Sequence, residues 1–223
     1  MLELHVVGQG PRRFSPQQLI IAGWAGRDQH AVEHHIRELE ALGVRPPAST
    51  PCFYPLSHQL LTTAAELEVP RENSSGEVEC VLFADADGLF VGVGSDHTDR
   101  QVEAYDVTVS KQMCAKPLSA ELWRFNEVVA HWDQLLMRCW RERNGVRELY
   151  QQGGTAQLLH PRLLIERYGQ GRPLPTGSVL FCGTLAVNGS LGHGEAFEME
   201  LHDPVLGRTL RHAYRVKTLE VAT

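Results

Sequence analysis

Two glutamates one residue apart, Glu77 and Glu79, stand at the start of an apolar run that continues through Val81 and Phe83. In a strand, alternate side chains point the same way, so the two carboxylates share a face and lie roughly 7 Å apart. Because apolar residues continue that face, it is not ordinary solvated surface along its whole length. Carboxylates buried together repel each other and lose their hydration. Since Mg²⁺ and Ca²⁺ take oxygen ligands, a hard divalent cation is the simplest way to stabilise the pair.

The bulk composition is that of an ordinary globular protein and excludes several classes of function. The chain has 223 residues, 43% of them apolar and 22% charged, and a net charge of −6 that argues against nucleic acid as a main partner. It has no apolar run of about 18 residues, so no membrane span is predicted, and its first residues do not form a secretory signal. The five cysteines are scattered without metal-like spacing, which favours reduced, buried thiols in a cytoplasmic protein.

Apolar and alternating runs predict a β-rich chain with turns at its glycine and proline clusters. The predicted strands cover residues 2–7, 18–24, 77–84, 89–93, 102–110 and 178–185, with a terminal hairpin formed by 197–201 and 209–216. The sequence Asp85-Ala86-Asp87-Gly88 predicts the turn that joins the strands after Glu77 into a hairpin.

Three helices are predicted from capping residues and from apolar residues spaced by three or four. Asp28 caps the first, which carries Val32, Ile36, Leu39 and Leu42 and stops near Gly43. Ser119 caps the longest, whose apolar residues run from Leu122 to Trp140 and which Gly145 closes. Pro161 opens a short helix through Tyr168. The economical interpretation is one α+β domain over 1–223.

A convincing metal site needs a third carboxylate, and the sequence offers three. Asp96 and Asp99 lie in the polar segment directly after the strand 89–93, while Asp106 lies inside a run of alternating apolar residues. The segment with Asp96 and Asp99 is equally compatible with a surface turn. Nearby, Lys111 and Lys116 could orient an anionic substrate or could be solvated surface residues.

Other residues could supply a base or an anion site. On the first helix, His35 and Glu38 are three residues apart and could act as a general base with its orienting carboxylate. His30 has the same relation to Glu33, His34 lies between, and on spacing alone a polar helix surface is the favoured interpretation of all of them. Gly183-Thr184 offers an amide and a hydroxyl that can bind a carboxylate or an oxyanion, although such pairs also occur in turns.

These motifs occur in an order that resembles the fumarylacetoacetate hydrolase superfamily, most closely an uncharacterised bacterial branch of it. The matching segments, from about residue 20 to the C-terminus, are Gly26-Arg27 leading to His35-Ile36-Arg37-Glu38, Glu77-Val78-Glu79, Ser95-Asp96-His97-Thr98-Asp99-Arg100, Lys111, and Pro175-Thr176-Gly177 through Gly183-Thr184. Two departures stand out. Only a hairpin separates Glu79 from Asp96, where the family usually has a helix, and Thr-Gly-Ser replaces the usual Pro-Gly-Asp.

The resemblance implies a single β-rich domain with a lid segment at 20–45, a metal-binding core at 66–223, an N-terminal lid helix, and a homodimeric assembly. It implies Mg²⁺ or Mn²⁺, with Ca²⁺ as an alternative, bound by Glu77, Glu79 and Asp96. Asp96 is preferred to Asp99 or Asp106 because its offset of four from Arg100 matches the family. The implied catalytic residues are His35, Glu38 and Lys111, with His30 or His34 as alternatives to His35. The implied substrate contacts are Arg27, Arg100 and Thr184.

The implied function is a metal-dependent hydrolase that cleaves a C–C bond in a small 1,3-diketo or 2-oxo acid through a metal-stabilised enolate. The alternatives are a 2-oxo acid decarboxylase, hydratase or isomerase that uses the same site, and a non-catalytic member of the fold that binds a metabolite. A metal-free cysteine hydrolase has little support, since Cys182 has no obvious histidine partner in the sequence. The expected partner is therefore a small oxo acid, with no nucleic acid and no membrane.

Overall fold

β-Strands are the main secondary structure of the described residues, with short helices between them. The computed structural model describes residues 1–41 and 46–220, without the side chains of His35, Glu38, Leu39 and Ala41. The strands are β1 Leu2–Val6, β2 Gly10–Phe14, β3 Gln18–Gly23, β4 Cys52–Leu56, β5 Leu61–Thr62, β6 Glu66–Pro70, β7 Ser74–Ser75, β8 Val78–Asp85, β9 Gly88–Ser95, β10 Thr98–Asp99, β11 Lys116–Pro117, β12 Glu121–Arg124, β13 Leu136–Arg143, β14 Val146–Gly154, β15 Ser178–Thr184, β16 Ala196–Asp203 and β17 Arg208–Leu219.

The helices are short, and they lie between strands. They are α1 Gln29–Ala41, α2 Arg100–Glu103, α3 Val107–Gln112, α4 Phe125–Val128 and α5 Pro161–Gly169, with 3₁₀ turns at His58–Leu60, Val129–Gln134 and Thr155–Gln157. Within the described ranges, no helix has the length and apolar character needed to cross a membrane.

Two large sheets carry the fold. One has eight strands in the order β2-β1-β12-β9-β8-β15-β3-β4, and the other has five in the order β14-β13-β16-β17-β6. Side chains from both sheets meet in one apolar cluster, to which β8 contributes Cys80 and Leu82. The alternate residues Val81 and Phe83 belong to a second cluster, which contains residues of the eight-stranded sheet and its flanking segments. Strand β8 is therefore buried on both faces, which explains its continuous apolar sequence.

Many of the predicted elements are confirmed. The hairpin of β8 and β9, the strands β1, β3 and β15, the hairpin of β16 and β17, and the helix α5 lie where the sequence predicts them. Helix α1 also forms, and its predicted cap is present: the carboxylate of Asp28 accepts hydrogen bonds from the amides of His30 and Ala31. Its predicted end near Gly43 lies outside the described residues.

The prediction of one long central helix over the segment from Leu122 to Trp140 is wrong. This segment forms β12, the short helix α4, a 3₁₀ turn and then β13. On β13 the buried side chains alternate, as Met137, Cys139 and Arg141, whereas the predicted helical stripe included the less buried Trp140. The buried Arg141 hides this alternation because it reads as a polar, exposed position in the sequence.

The predicted strand over 102–110 is also wrong, because this segment forms α2 and α3. Two aspartates start these helices: Asp99 accepts a hydrogen bond from the amide of Val102, and Asp106 accepts one from the amide of Val109. This change of structure matters for function, because α2 carries Arg100 and α3 carries Lys111.

Candidate metal centre

The register of the β8–β9 hairpin brings three carboxylates together. Val78 pairs with Ser95, and one step further the amide of Asp96 donates a hydrogen bond of 3.0 Å to the carbonyl of Glu77. Ligand oxygens of Glu77, Glu79 and Asp96 then lie within 4.8 Å of one another. Oxygen ligands on opposite sides of Mg²⁺ or Ca²⁺ are about 4 to 5 Å apart, so this spacing is compatible with a shared divalent cation.

Glu79 is buried at the centre of this group. Its Oε2 accepts a hydrogen bond of 2.7 Å from the backbone amide of Gly183, on the neighbouring strand β15. Burial raises the pKa of Glu79 well above its usual value, and the nearby carboxylates of Asp96 and Glu77 raise it further. The predicted anion-binding amide at Gly183 is therefore present, and it binds a carboxylate of the protein itself.

Asp96 is fully buried between two lysines. The ammonium of Lys111 lies 2.5 Å from its Oδ2, and that of Lys116 lies 2.9 Å from its Oδ1. Burial alone would raise the pKa of Asp96, but the two lysines outweigh it and keep this pKa well below its usual range. Although Lys116 is close, Oδ1 accepts no hydrogen bond of good geometry from any described residue.

Lys111, which was predicted to meet the substrate, lies at the edge of the carboxylate group. Its Nζ is 3.5 Å from Oε2 of Glu77 and 5.9 Å from the centre of the Tyr54 ring. Burial alone would lower the pKa of Lys111, but the carboxylates of Asp96 and Glu77 raise it above its usual value. The amine is therefore an ammonium at neutral pH and a donor for an anionic group.

Arg100, which was predicted as a substrate contact, is engaged with acidic side chains of the protein. Its Nη1 donates to Glu77 over 3.0 Å and to Glu103 over 2.8 Å, and its Nε donates to the hydroxyl of Ser75 over 2.7 Å. These contacts fix the carboxylate of Glu77, so in this geometry Arg100 orients a member of the carboxylate group.

Lys116, which the sequence left open as a substrate-orienting or a solvated residue, is instead a buried partner of Asp96. Its side chain is completely buried, and its Nζ donates to the carbonyl of His97 over 2.5 Å. A usable signal was present in the sequence, since the lysine lies among small or apolar residues in Cys114-Ala115-Lys116-Pro117-Leu118. A lysine in such surroundings needs a buried anion, and Asp96 is that anion.

A buried hydrogen-bond network supports the carboxylates from behind. The Ser95 hydroxyl accepts from the amide of Glu77 over 3.0 Å and from the hydroxyl of Tyr214 over 3.0 Å. Tyr214 in turn lies 3.0 Å from Nδ1 of His97, whose Nε2 lies 2.9 Å from the hydroxyl of Ser74. Burial lowers the pKa of His97 well below its usual value, so this ring is neutral.

Several predicted site residues have other contacts in the structure. Arg27 forms a two-pronged ion pair with Asp133, with both distances 2.7 Å. The Thr184 hydroxyl donates to the carbonyl of Val78 over 2.8 Å and accepts from Gln151 over 2.9 Å. The other candidates for the third carboxylate, Asp99 and Asp106, both cap helices. Asp96 is the aspartate whose carboxylate lies within 4.8 Å of those of Glu77 and Glu79.

The structure describes only the backbone of the predicted general base and its partner. The side chains of His35 and Glu38 lie outside the described residues, so their pairing stays a prediction. The alternatives His30 and His34 are on the same helix, α1, and are exposed.

An open cleft of about 230 Å³ adjoins the segments that carry Lys111 and Arg100. It lies between α2–α3 and the segment after α1, and its walls include Tyr54, Glu103 and Tyr105. Two of these lining residues adjoin cations of the site, because the Tyr54 ring centre lies 5.9 Å from Nζ of Lys111 and Glu103 pairs with Arg100. The cleft therefore lies next to the residues that surround the carboxylates.

The same fold is found in solved structures of fumarylacetoacetate hydrolase family proteins. A Yersinia pestis CO92 protein assigned to that family matches with a TM-score of 0.69 and 18% identity, over 96% of this chain and 100% of that chain. A yeast member matches with a TM-score of 0.66 and 16% identity, over 93% and 95%. Maleylpyruvate hydrolase from Sphingobium sp. SYK-6, in complex with manganese and pyruvate, matches with a TM-score of 0.59 and 14% identity, over 92% and 72%. The expected fold is thus confirmed.

Comparisons of sequence give a narrower result. Among curated proteins, none matches this chain. One family model does match, described as a protein of unknown function (DUF2848), and it covers residues 22–214, which include every candidate ligand named above. The chain therefore belongs to the DUF2848 family.

Proposed function

We propose that this protein is a divalent-metal-dependent enzyme that cleaves a C–C bond in a small 1,3-diketo or 2-oxo acid. The observation that carries the proposal is the buried group of Glu77, Glu79 and Asp96, whose oxygens are spaced for one cation. Burial and mutual repulsion disfavour the ionised form of adjacent carboxylates, and they raise the pKa of Glu79. A bound cation would lower the pKa of Glu79 again, because its positive charge favours the ionised carboxylate.

The residues present fit Mg²⁺ or Mn²⁺, with Ca²⁺ as an alternative, because all three ligands supply hard oxygen atoms. Glu77, Glu79 and Asp96 would hold the ion. When bound, the cation would supply Lewis acidity that lowers the energy of an enolate developing on the substrate.

The charges around the carboxylates favour an anionic substrate. Glu77, Glu79 and Asp96 are matched by Lys111, Lys116 and Arg100, so a divalent ion makes the group net positive when all six are ionised. Among the three cations, Lys111 lies beside Tyr54 and the cleft. Its ammonium would donate to the carboxylate or to the oxyanion of the substrate.

The residues that we propose for proton transfer lie on helix α1. His35, oriented by Glu38, would activate the water that attacks the distal carbonyl, an effect typically worth about 10²–10⁴ in rate. His30 and His34 are the alternatives on the same helix. Single substitutions of the three histidines to alanine distinguish them, because the base alone lowers kcat while leaving the affinity for oxalate unchanged.

Proteins of the same fold support the substrate class. Maleylpyruvate hydrolase was crystallised with manganese and pyruvate, and 2-keto-3-deoxy-D-arabinonate dehydratase was crystallised with magnesium and 2,5-dioxopentanoate. Both bound molecules are 2-oxo acids. Because the second enzyme is a dehydratase, a lyase reaction on the same site is the second candidate function.

The test is turnover of acylpyruvates and oxaloacetate by the purified protein with Mg²⁺ or Mn²⁺. We expect turnover that EDTA abolishes and that Glu77→Ala removes. Glu72→Ala, at an exposed glutamate outside the carboxylate group, is the matched control and should keep full activity. Turnover that is indifferent to EDTA would contradict the metal-dependent reaction. Tight binding of oxalate with no turnover of any oxo acid would favour the non-catalytic alternative.

A further inference from the structure

The two lysines on Asp96 occupy very different surroundings. Lys116 Nζ lies 2.9 Å from Oδ1 and also donates to the carbonyl of His97 over 2.5 Å, and its side chain is 0% exposed. Lys111 Nζ lies 2.5 Å from Oδ2, and its side chain is 7% exposed. One lysine is fully enclosed by the protein, whereas the other lies beside Tyr54, whose side chain lines the cleft.

Their positions in the chain explain this difference. Lys116 lies on β11, where its backbone pairs with Leu61 on β5, so the strand pairing holds it in place. Lys111 lies in the last turn of the short helix α3, with its ammonium facing the ring of Tyr54. A long side chain at a helix end can change rotamer without any change in the sheet.

Lys111 also occupies the space that a cation would need. Its ammonium is 2.5 Å from Asp96 and 3.5 Å from Glu77, two of the three candidate ligands. An ion bound by both carboxylates would lie in the same gap. Two positive charges a few ångströms apart repel strongly in a buried site, so the ammonium and the ion compete.

We propose that Lys111 exchanges with the divalent cation, leaving Oδ2 of Asp96 when the ion binds, while Lys116 stays on Oδ1 as a positioning residue for Asp96. This inference rests on the proposed function, because it concerns the same ion. It gives the two lysines opposite effects on metal affinity: Lys111 weakens binding by competition, and Lys116 strengthens it by holding the ligand.

The exchange has a consequence for substrate binding. The displaced ammonium stays tethered to α3, beside Tyr54 and the cleft. It is then free of its ion pair with Asp96 and available to an anionic substrate. Binding of the ion thereby prepares the residue that meets the substrate, and the two ligands bind cooperatively.

The test is calorimetric titration of Mn²⁺ into the wild type, Lys111→Met, Lys116→Met and the surface control Lys217→Met. We expect Lys111→Met to bind Mn²⁺ about tenfold more tightly than the wild type, because the ion no longer has to displace an ammonium from Oδ2 of Asp96. Lys116→Met should bind about tenfold more weakly, since Asp96 loses its fixed partner. Lys217→Met should bind like the wild type, because Lys217 is exposed and pairs with Glu68.

The outcomes separate this inference from the proposed function. If the wild type binds Mn²⁺ but Lys111→Met binds it no more tightly, the exchange is overturned and the metal site stands. If none of the four proteins binds Mn²⁺, both are overturned. A crystal structure of the wild type with Mn²⁺ tests Lys116 even where Lys116→Met fails to fold. In that structure we expect Oδ1 of Asp96 to keep its contact with Lys116 and the ammonium of Lys111 to have left Oδ2. A Lys111 ammonium that still contacts Oδ2 overturns the exchange.

Discussion

The backbone amide of Gly183 donates a hydrogen bond of 2.7 Å to Oε2 of Glu79, and only a glycine fits where this amide lies. The φ angle of Gly183 is +94°, a conformation that other residues rarely adopt. A Cβ atom at this position would lie 2.7 Å from the Cβ of Ala25. The bend at the end of β15 therefore aims a main-chain donor at a buried carboxylate of the candidate metal centre.

Gly183→Ala should lower the free energy of unfolding by about 1–3 kcal/mol, the typical cost of a strained backbone conformation, with a further loss from the clash with Ala25. It should also weaken Mn²⁺ binding, because Glu79 loses its fixed donor. Urea unfolding and calorimetric titration measure the two effects. Gly189→Ala is the matched control, since Gly189 also has a positive φ, +77°, but nothing within 4 Å of the added Cβ. Equal losses in both variants would contradict a specific role for Gly183.

Glu79 should make the stability of the protein depend on pH when EDTA is present. Its folded-state pKa is raised well above the ordinary value of 4.5, so the folded protein holds this proton more tightly than the unfolded chain does. The resulting stabilisation is fully present below the unfolded pKa and is lost as the pH rises through the folded pKa. Each unit of pKa shift corresponds to about 1.4 kcal/mol.

Glu79→Gln removes this dependence, because an amide has no proton to lose at these pH values and its oxygen can still accept from Gly183. The stability difference between variant and wild type should therefore grow in favour of the variant as the pH rises. Urea unfolding in EDTA from about pH 4 to pH 9 measures it. Glu72→Gln, at an exposed position, should show no such trend. A pH-independent difference for Glu79→Gln would mean that the pKa of Glu79 is the same in the folded and the unfolded chain.

Asp96 and Asp106 were competing candidates for the third ligand, and a matched pair of variants separates them. Asp96→Asn leaves two buried lysines facing a neutral group, so we expect a loss of about 3–5 kcal/mol in the free energy of unfolding and no Mn²⁺ binding. Asp106→Asn should change stability by less than about 0.5 kcal/mol, because asparagine caps helices about as well as aspartate. Loss of Mn²⁺ binding in Asp106→Asn would assign the ion to a different set of ligands.

Local rules in the sequence predict part of the carboxylate group. Glu77 and Glu79 precede a strand whose hairpin is defined by apolar runs around Asp87-Gly88, and in the structure the hairpin register places Asp96 next to Glu77. The residues alone left the third carboxylate open among Asp96, Asp99 and Asp106, and the resemblance to a known family selected Asp96. Lys111, which the sequence left open as a substrate-orienting or a solvated residue, lies beside Asp96.

The errors occur where a charged residue is buried. Arg141 is 1% exposed, paired with Glu148 and stacked on the ring of Tyr150, so the alternation of β13 is invisible in the sequence. Asn144 and Gly145 both have positive φ, the signature of a tight hairpin, but the same glycine is also compatible with a helix end. The sequence left Lys116 open between a substrate-orienting and a solvated residue, because Asp96, the buried anion that pairs with it, is distant in sequence.

Tyr214 should hold the hydrogen-bond network behind the candidate metal centre, and Tyr150 provides its matched control. Both side chains are buried against Phe197. The Tyr214 hydroxyl donates to Ser95, which accepts from the amide of Glu77, whereas the Tyr150 hydroxyl has no hydrogen-bond partner among the described residues. Removing a hydroxyl that others depend on costs more than removing one without a partner.

Tyr214→Phe should therefore lower the free energy of unfolding by about 1–3 kcal/mol, because Oγ of Ser95 and Nδ1 of His97 each lose one buried hydrogen-bond partner. Tyr150→Phe should be neutral or slightly stabilising, since a buried hydroxyl without a partner is itself unfavourable. Urea unfolding measures both, and Mn²⁺ titration shows whether the network also positions Glu77. If Tyr214→Phe is destabilised but binds Mn²⁺ like the wild type, the network supports the fold alone. If Tyr214→Phe binds Mn²⁺ more weakly and Tyr150→Phe does not, the hydrogen-bond network also positions the carboxylates through Ser95.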